Sequence, residues 1–503
     1  MPTWLDSPRA LGRTGGVSAA ATATPADQAA SEWLLAAAVA DLDDDLDELL
    51  FLARSAQAGL AEAADELARA SLQPRTRELL SRQHERARGR YRAIVRHLLA
   101  LRARAAGRSP SRSLVEELAA EKASLADLLR VEQALTAALD AAADWQSPSF
   151  LHSLAPTAGR HEGLIRAHWN DYKRDRHLDG EAYERRYLEE MVEGPPGLGA
   201  LLTSCGMAAF TTVLSCLQLE GELDGPVLAG AGLYHESRLL LERALPGRLH
   251  LVDEADTAAL LRAVDELRPS AVFLDSLSNT KWMPVPELPP LLTRLAGTRT
   301  YLVLDNTGLS IACQPFALAD ESVRLIVFES LLKYVQLGLD RANAGIVVAR
   351  DRDAVRLSRY REHLGTNVTD VAVHALPRPD RRVLERRLAR LQRSALLLAE
   401  RLREGAGSSV EVVCPGGGCL SIVFRDANAE RAVVEQAVAE AARRRVALLG
   451  GSSFGFDTTR IYLTAAGAEY GEPFVRVAAG TEHRLEVERV AEALVAAVCE
   501  VAS

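Results

Sequence analysis

Two stretches near the middle of the chain decide its fold: residues 301–307, Tyr-Leu-Val-Leu-Asp-Asn-Thr, and residues 325–334, Leu-Ile-Val-Phe-Glu-Ser-Leu-Leu-Lys-Tyr. Each begins with a short apolar run of the kind that forms a buried strand and continues into polar side chains. The first run ends at Asp305, and the second leads to Lys333. Because α/β proteins bind ligands at the carboxyl ends of parallel strands, we expect both side chains in one site.

Similar apolar runs occur along the whole central part of the chain. The predicted strands cover residues 226–229, 271–274, 301–304, 323–328 and 345–349. Helical periodicity separates several of them, as at 206–218 and 257–267. This alternation predicts an α/β fold whose mostly parallel central sheet is covered by helices. After a basic helix at 381–403, strands and helices resume more sparsely, which indicates a smaller C-terminal α/β domain.

Upstream of these strands, the sequence predicts helices alone, at Trp33–Leu67, Leu79–Arg104 and Ser111–Ala143. We therefore divide the chain into three parts. They are an N-terminal all-helical extension (1–150), a large α/β domain with an N-terminal arm (151–375) and a small C-terminal α/β domain (376–503).

Charged residues recur on two of these helices. Four acidic residues of the first helix fall at i, i+3, i+4 and i+7: Asp41, Asp44, Asp45 and Glu48. Arginines crowd the stretch 378–403. Charge runs on amphipathic helices usually face water, so we predict that both faces are solvated.

Composition restricts the class of protein. The chain has 503 residues, of which 48% are hydrophobic, and a net charge of −9, which argues against a nucleic-acid binder. It lacks an apolar run long enough for a bilayer and a signal-peptide pattern. Six cysteines without a CxxC pair argue against a disulfide framework and a zinc module. We expect a cytoplasmic protein that binds no metal and does not enter a membrane.

A third loop adds an anion site to Asp305 and Lys333. Residues 203–209, Thr-Ser-Cys-Gly-Met-Ala-Ala, open a helix, and Gly206 lets backbone N–H groups approach an anion there. An aldehyde cofactor that carries a phosphate and a pyridine nitrogen needs an anion cradle, a carboxylate and a lysine. The chain has four lysines, and of these Lys333 directly follows a strong predicted strand.

From about residue 165 to the end, the chain resembles the Cys/Met-metabolism family of pyridoxal-phosphate (PLP) enzymes, the cystathionine γ-synthase and γ-lyase group of fold type I. Seven segments resemble motifs of the family and occur in the family's order; the family's motif is given in parentheses after each range. They are 172–174 (Y-x-R), 204–209 (S-S-G-M-A-A), 233–234 (L-Y), 275–279 (E-S-P-S-N), 305–307 (D-N-T), 330–334 (S-A-T-K-Y) and 474–482 (L-V-R-L-S-V-G-I-E).

The resemblance implies a role for each matched residue toward pyridoxal 5′-phosphate. Lys333 forms the Schiff base, Asp305 pairs with the pyridinium nitrogen, and Tyr234 stacks on the ring. Asn279 contacts the phenolic oxygen. The remaining cofactor ligands surround the phosphate, with the last two coming from the neighbouring subunit: Ser204, Cys205, Gly206, Met207, Ser330, Tyr172 and Arg174.

The resemblance also implies an amino-acid substrate whose α-carboxylate is bound by Arg476, with Asn279 beside it. Lys333 then removes and returns protons, and Tyr172 and Tyr234 are candidate acids for the leaving group. Three reactions remain open at this point: γ-elimination, γ-replacement and β-elimination. Because Y-x-R serves the neighbour's site, we expect a homodimer or homotetramer.

Departures from the family's motifs concern the substrate side and the phosphate shell. Leu332 replaces the Thr of S-A-T-K, His235-Glu236-Ser237 replaces G-G-T, Leu448 replaces the Ser of S-L-G-G, and Thr280 replaces the Pro of N-P. These changes favour an unusual amino acid of specialised metabolism. A scaffold that retains the fold and works through its helical extension is the alternative, although Asp305 and Lys333 are both present.

Overall fold

The computed structural model describes residues 25–69, 73–142, 178–424, 429–464 and 472–502. Tyr172 and Arg174 lie outside these ranges. The first described elements are three long helices, as predicted: α1 (Pro25–Arg69), α2 (Pro74–Gly107) and α3 (Arg112–Ala141). They pack on one another through leucine and alanine side chains, which include Leu42, Leu98 and Leu118.

A large sheet follows these helices, and seven strands belong to it within the described residues. They are β1 (Leu198–Thr203), β2 (Val227–Gly230), β3 (Leu249–Val252), β4 (Ala271–Asp275), β5 (Tyr301–Asp305), β6 (Arg324–Ser330) and β7 (Gly345–Arg350). Their order is β1-β7-β6-β5-β4-β2-β3. The five strands from β6 to β3 run parallel, and β7 is antiparallel to both of its neighbours.

Helices cover both faces of this sheet. They are α4 (Leu178–Met191), α5 (Gly206–Leu219), α6 (His235–Ala244), α7 (Thr257–Leu267), α8 (Leu288–Leu295), α9 (Pro315–Leu318), α10 (Asp351–Leu364) and α11 (Asp370–Ala375). Successive residues of a strand enter different cores: Val303 packs with Phe210 of α5, whereas Leu302 and Leu304 pack in the core that contains Leu291 of α8. Burial on both faces explains the uninterrupted apolar runs.

The C-terminal part has its own core and sheet. Helix α12 (Arg381–Ala406) precedes β8 (Val410–Gly416), β9 (Cys419–Phe424), α13 (Ala429–Arg444), β10 (Leu449–Gly450), β11 (Arg460–Thr464), β12 (Phe474–Ala478) and α14 (Arg484–Ala502). The sheet order is β10-β11-β12-β9-β8, and the pairs are antiparallel except β10 with β11. This smaller α/β unit confirms the predicted arrangement.

The prediction that the acidic face of α1 is solvated is wrong for most of its acidic residues, and the same prediction is wrong for Arg387 and Arg390 of α12, whereas Arg382 and Arg386 are exposed. Glu48 is buried and accepts from Arg387 Nη1 and from Arg390 Nη2, each at 2.6 Å. Asp45 accepts from Arg390 and from Lys122, and Asp41 pairs with Arg393. The two faces carry opposite charges and meet each other, which one helix's periodicity cannot reveal. Asp44 is exposed as predicted.

Replacing Arg387 with Met is expected to destabilise the protein by about 3 kcal/mol, because Glu48 and Asp457 would each lose a buried cationic partner. Arg102→Met is the matched control. Its pairs with Asp43 and Asp47 are partly exposed, so the expected loss is below about 1 kcal/mol. Urea unfolding of both variants measures the difference, and equal losses would contradict a buried ionic contact.

Candidate active site

Five of the predicted phosphate-binding residues come together where α5 begins. Cys205 is extended, and its Sγ accepts from Ala208 N at 3.3 Å, which caps the helix. A Cβ on Gly206 would lie 2.7 Å from Ser330 Cβ, so only glycine lets the end of β6 approach so closely. Ser204 and Met207 flank this contact in the chain. The first N–H groups of a helix have no acceptor within it, so they can bind an anion, and the Ser330 hydroxyl lies beside them.

Two carboxylates lie side by side at the carboxyl edge of the sheet. Asp305 ends β5 and is in register with Asp275, which ends β4. Burial raises the pKa of Asp305, whereas the Thr307 donors and the Lys333 charge oppose that rise. Burial followed by repulsion from Asp305 raises the pKa of Asp275 well above its ordinary value. Asp275 therefore holds its proton more readily, which leaves Asp305 as the charged member of the pair.

Lys333 follows β6 and faces the same edge. Burial lowers the pKa of its amine, and the Asp305 charge opposes that shift. Its Nζ donates to Ser453 Oγ at 2.5 Å and lies 5.2 Å from the centre of the Phe454 ring. A buried lysine with a lowered pKa is a stronger nucleophile at neutral pH than an exposed one, because more of it is uncharged.

Arg476 reaches the site from the C-terminal sheet. Its Nη2 donates to Asn279 Oδ1 at 2.8 Å, and Nη1 lies 3.4 Å from the hydroxyl of Tyr462, its neighbour across β11 and β12. The guanidinium is buried, and its Nε has no hydrogen-bond partner among the described residues. A buried guanidinium with an unused donor suits a carboxylate ligand, since that ligand accepts two parallel hydrogen bonds.

Tyr234 lies at the start of α6, beside the two carboxylates. Its backbone N–H donates to Asp275 Oδ2 at 2.7 Å. Burial, and then the charge of Glu236, raise the pKa of the Tyr234 hydroxyl, so the phenol stays protonated and can act as a donor. His235 Nε2 lies 2.9 Å from a Glu236 carboxylate oxygen. The motif that departs from G-G-T therefore places an acidic group and an imidazole near the site.

Glu329, one residue before Ser330, is a buried group that the sequence did not indicate. It accepts from Ser310 Oγ at 2.7 Å and from the Tyr187 hydroxyl at 2.9 Å, and burial raises its pKa to about 7. Between its unfolded pKa near 4.5 and this folded value, the folded protein binds more protons than the unfolded chain. Its contribution to stability is therefore present at low pH and falls as the pH rises through this window.

Glu329→Gln is expected to weaken that pH dependence. The wild type is expected to lose unfolding free energy between pH 5 and pH 7. In Glu329→Gln this loss should be smaller by roughly 2 kcal/mol, because each pKa unit corresponds to about 1.36 kcal/mol. A residual slope of the same sign is expected, because burial also raises the pKa of Glu482 to about 7. Urea unfolding at both pH values tests this, and an unchanged slope would show that Glu329 is not a buried acid.

Comparison with known proteins places this site in a family. The family described as "Cys/Met metabolism PLP-dependent enzyme" matches residues 145–416, more than half of the chain. The chain therefore belongs to this family of pyridoxal-phosphate-dependent enzymes, as its motifs predicted.

Individual relatives are more distant. The bifunctional enzyme flvA of Aspergillus flavus is 26% identical over 353 residues, which are 65% of this chain and 42% of that protein. The chain thus spans less than half the length of that curated relative. Cystathionine γ-synthase of Xanthomonas oryzae pv. oryzae, solved with cystathionine, gives a TM-score of 0.55 at 21% identity, covering 67% of this chain and 89% of that one.

A second solved structure agrees with the first on the fold. CalE6, a methionine γ-lyase of Micromonospora echinospora, gives a TM-score of 0.50 at 20% identity and covers 63% of this chain and 84% of that one. These similarities confirm fold type I.

The side chains present fit pyridoxal phosphate. The start of α5, where Gly206 allows Ser330 to pack closely, suits the phosphate, and the buried Asp305 carboxylate suits a protonated pyridine nitrogen. The Asp275 Oδ1 atom is buried without a hydrogen-bond partner among the described residues, so this edge of the sheet has an unused polar group. Lys333 supplies the amine. When bound, the cofactor supplies an electron sink for the carbon skeleton of an amino acid.

Sequence reasoning missed Ser453, Tyr462 and Glu329. Tyr462 contacts Arg476 through a cross-strand pairing whose register the sequence does not show. Ser453 follows the predicted Gly450-Gly451 motif closely, and that proximity was a usable signal. Across the described residues, we find no group of histidine, cysteine and acidic side chains that could hold a metal, and no helix apolar and long enough to cross a membrane.

Proposed function

We propose that the protein catalyses γ-elimination or γ-replacement on a γ-substituted L-amino acid. One observation carries this proposal: the Lys333 amine, the Asp305 carboxylate and the Arg476 guanidinium converge on one site from two sheets. Electrostatic coupling of Lys333 with Asp305 and the bond from Arg476 to Asn279 support that convergence. The site thus combines a lysine that can anchor the cofactor with an arginine that can bind a carboxylate.

Each residue has a task that follows from its position. Arg476, with its unused Nε donor, binds and orients the substrate α-carboxylate, and Asn279 fixes the guanidinium. The Lys333 amine, whose pKa is lowered by burial, removes the proton from Cα and can carry it to a neighbouring carbon. Asp305 would pair with the ring nitrogen of the bound cofactor and favour its protonated form.

Proton delivery to the leaving group falls to a phenol. Tyr234 keeps its proton at neutral pH, because burial and Glu236 raise its pKa, and it lies beside Asp275. Tyr172 is the second candidate acid, and with Arg174 it would serve the neighbouring subunit, so we propose a homodimer or homotetramer. We also propose a cytoplasmic location.

An unusual substrate is part of the proposal. Glu236 and His235 replace two glycines of the family's motif, and His235 Nε2 lies 2.9 Å from a Glu236 carboxylate oxygen beside Tyr234. Both side chains are bulkier and more polar than the glycines that they replace, which favours a substrate different from that of the family's common members. We further propose that residues 1–150, 151–375 and 376–503 are the functional divisions of the chain.

Product analysis tests the reaction. The holoenzyme is incubated with esters and thioethers of homoserine and, separately, with S-substituted cysteines, in the presence and absence of an added thiol. γ-Elimination yields 2-oxobutanoate, γ-replacement yields a new thioether, and β-elimination of cysteine derivatives yields pyruvate. Pyruvate alone would replace the proposal with a β-eliminating C–S lyase. No turnover of either class, despite bound cofactor, would overturn it.

A further inference from the structure

A loop of the C-terminal sheet packs directly on Lys333. This active-site loop, residues 451–459, connects β10 with β11. Its Ser453 hydroxyl accepts from the Lys333 amine, and the Phe454 ring lies 5.3 Å from that of Tyr334. A Cβ added to Gly455 would be 2.9 Å from the Lys333 carbonyl carbon, so the two backbones are in contact. Any shift of the loop therefore moves the group that touches the catalytic amine.

The backbone of this loop is not in a relaxed conformation. Ser453 has φ = 80° and Gly455 has φ = 86°. A non-glycine residue in this region costs free energy and persists where the surrounding structure enforces it. Ser453 is the residue that reaches Lys333, so contacts elsewhere must hold the loop in place.

Those contacts converge on Asp457, near the end of the loop. Arg387 of α12 donates through Nη2 to Asp457 Oδ1 and to the Gly455 carbonyl oxygen, each at 2.8 Å. Arg130 of α3 donates to Asp457 Oδ2 through Nη2 and to the Gly338 carbonyl oxygen through Nε at 3.1 Å. Gly338 follows Lys333 by five residues. One guanidinium from the helical part thus joins the loop to the segment that carries the lysine.

The helices supply a second, indirect contact. Glu48 of α1 accepts from Arg387, the other arginine on Asp457, and also from Arg390. Helices α1 and α3 therefore both reach Asp457, one through an intermediate arginine and one directly. Helix α2 also carries ion pairs, but Arg102 pairs with Asp43 and Asp47 of α1, away from the loop.

We propose that the helical unit α1–α3 positions the active site, with Arg130 as the positioning residue that holds the active-site loop and its Ser453 hydroxyl against Lys333. The inference rests on the proposed function only in that Lys333 supplies the catalytic amine. In this arrangement, the helical extension positions the active-site loop of its own chain.

The test compares Arg130→Gln with the matched control Arg102→Gln in the full-length holoenzyme. Arg130→Gln is expected to lower kcat about tenfold, since small displacements of a reacting group cost one to two orders of magnitude. It should also change the visible absorption of the Lys333-bound cofactor and speed its release several-fold. Arg102→Gln should match the wild type in all three readouts, although it removes an ion pair from the same helical unit.

Two further variants keep the test decisive. Ser453→Ala removes the contact with Lys333 directly and should reproduce the absorption change. Arg130→Gln combined with Asp457→Asn should be no worse than the more damaging single change, because coupled groups give non-additive effects. If Ser453→Ala alters the spectrum and Arg130→Gln does not, the helices do not position the loop and the inference is overturned.

The spectroscopic and release measurements need no substrate. If none of the amino acids is turned over, the proposed function fails while the positioning role is still tested. If turnover is normal and Arg130→Gln behaves like Arg102→Gln, the positioning role fails alone.

Discussion

Replacing Lys333 with Ala is expected to lower kcat by about three orders of magnitude or more, because the chain loses both its covalent attachment to the cofactor and the amine that moves the proton. Burial lowers the pKa of this amine and Asp305 lies close enough to act on its charge, so no other described side chain can take over both tasks. Steady-state kinetics of the purified variant, with pyridoxal phosphate added in excess, measure the loss.

Lys281→Ala is the matched control. Its amine pairs with Glu472 and lies over the ring of Trp282, so its removal should leave kcat within about twofold of the wild type. A small added amine, such as methylamine, should restore part of the activity of Lys333→Ala and none in a variant that is merely misfolded. Full activity of Lys333→Ala would contradict the assignment of this lysine.

Replacing Arg476 with Gln is expected to lower kcat/KM by about a hundredfold, or roughly 3 kcal/mol, because the substrate carboxylate would lose its charged partner. Gln keeps a polar side chain without the charge, so the site itself should remain assembled. The loss should fall mainly on KM, and the visible band of the bound cofactor should be retained, which separates substrate binding from cofactor binding.

Arg401→Gln controls for the loss of an arginine in the C-terminal domain. Arg401 pairs with Glu488 and Glu404 at the surface, so kinetics should be unchanged. A substrate analogue without the α-carboxylate provides a further check, since Arg476→Gln should barely affect its weak binding. If the wild type and Arg476→Gln bind and turn over the amino acid equally well, Arg476 does not bind the carboxylate.

Much of the catalytic part could be predicted from the sequence because its signals are local. Residues 257–267 were predicted as a helix with the observed ends, and the strands that end in Asp305 and lead to Lys333 were placed correctly. Strands β1 and β3 were missed. The edge strand β3 has two exposed residues, His250 and Leu251, so it lacks the continuous apolar run of a buried strand.

The contacts between distant parts of the chain could not be predicted in the same way. The acidic residues of α1 and the arginines of α12 are more than 300 positions apart, and each set alone has the pattern of a solvated face. Their burial results from the meeting of complementary charges, which only the tertiary structure shows. The positions of Ser453 and Arg130 near Lys333 are likewise visible only in the tertiary structure, and no sequence motif marks Arg130.

Lys333 is the residue expected to hold the cofactor of this pyridoxal-phosphate enzyme. The most direct measurement is the visible spectrum of the purified protein with pyridoxal phosphate, followed by borohydride reduction and peptide mass mapping. We predict a yellow absorption band that disappears on reduction and a phosphopyridoxyl adduct on Lys333. An adduct on another lysine, or no band even with added cofactor, would show that Lys333 does not hold the cofactor.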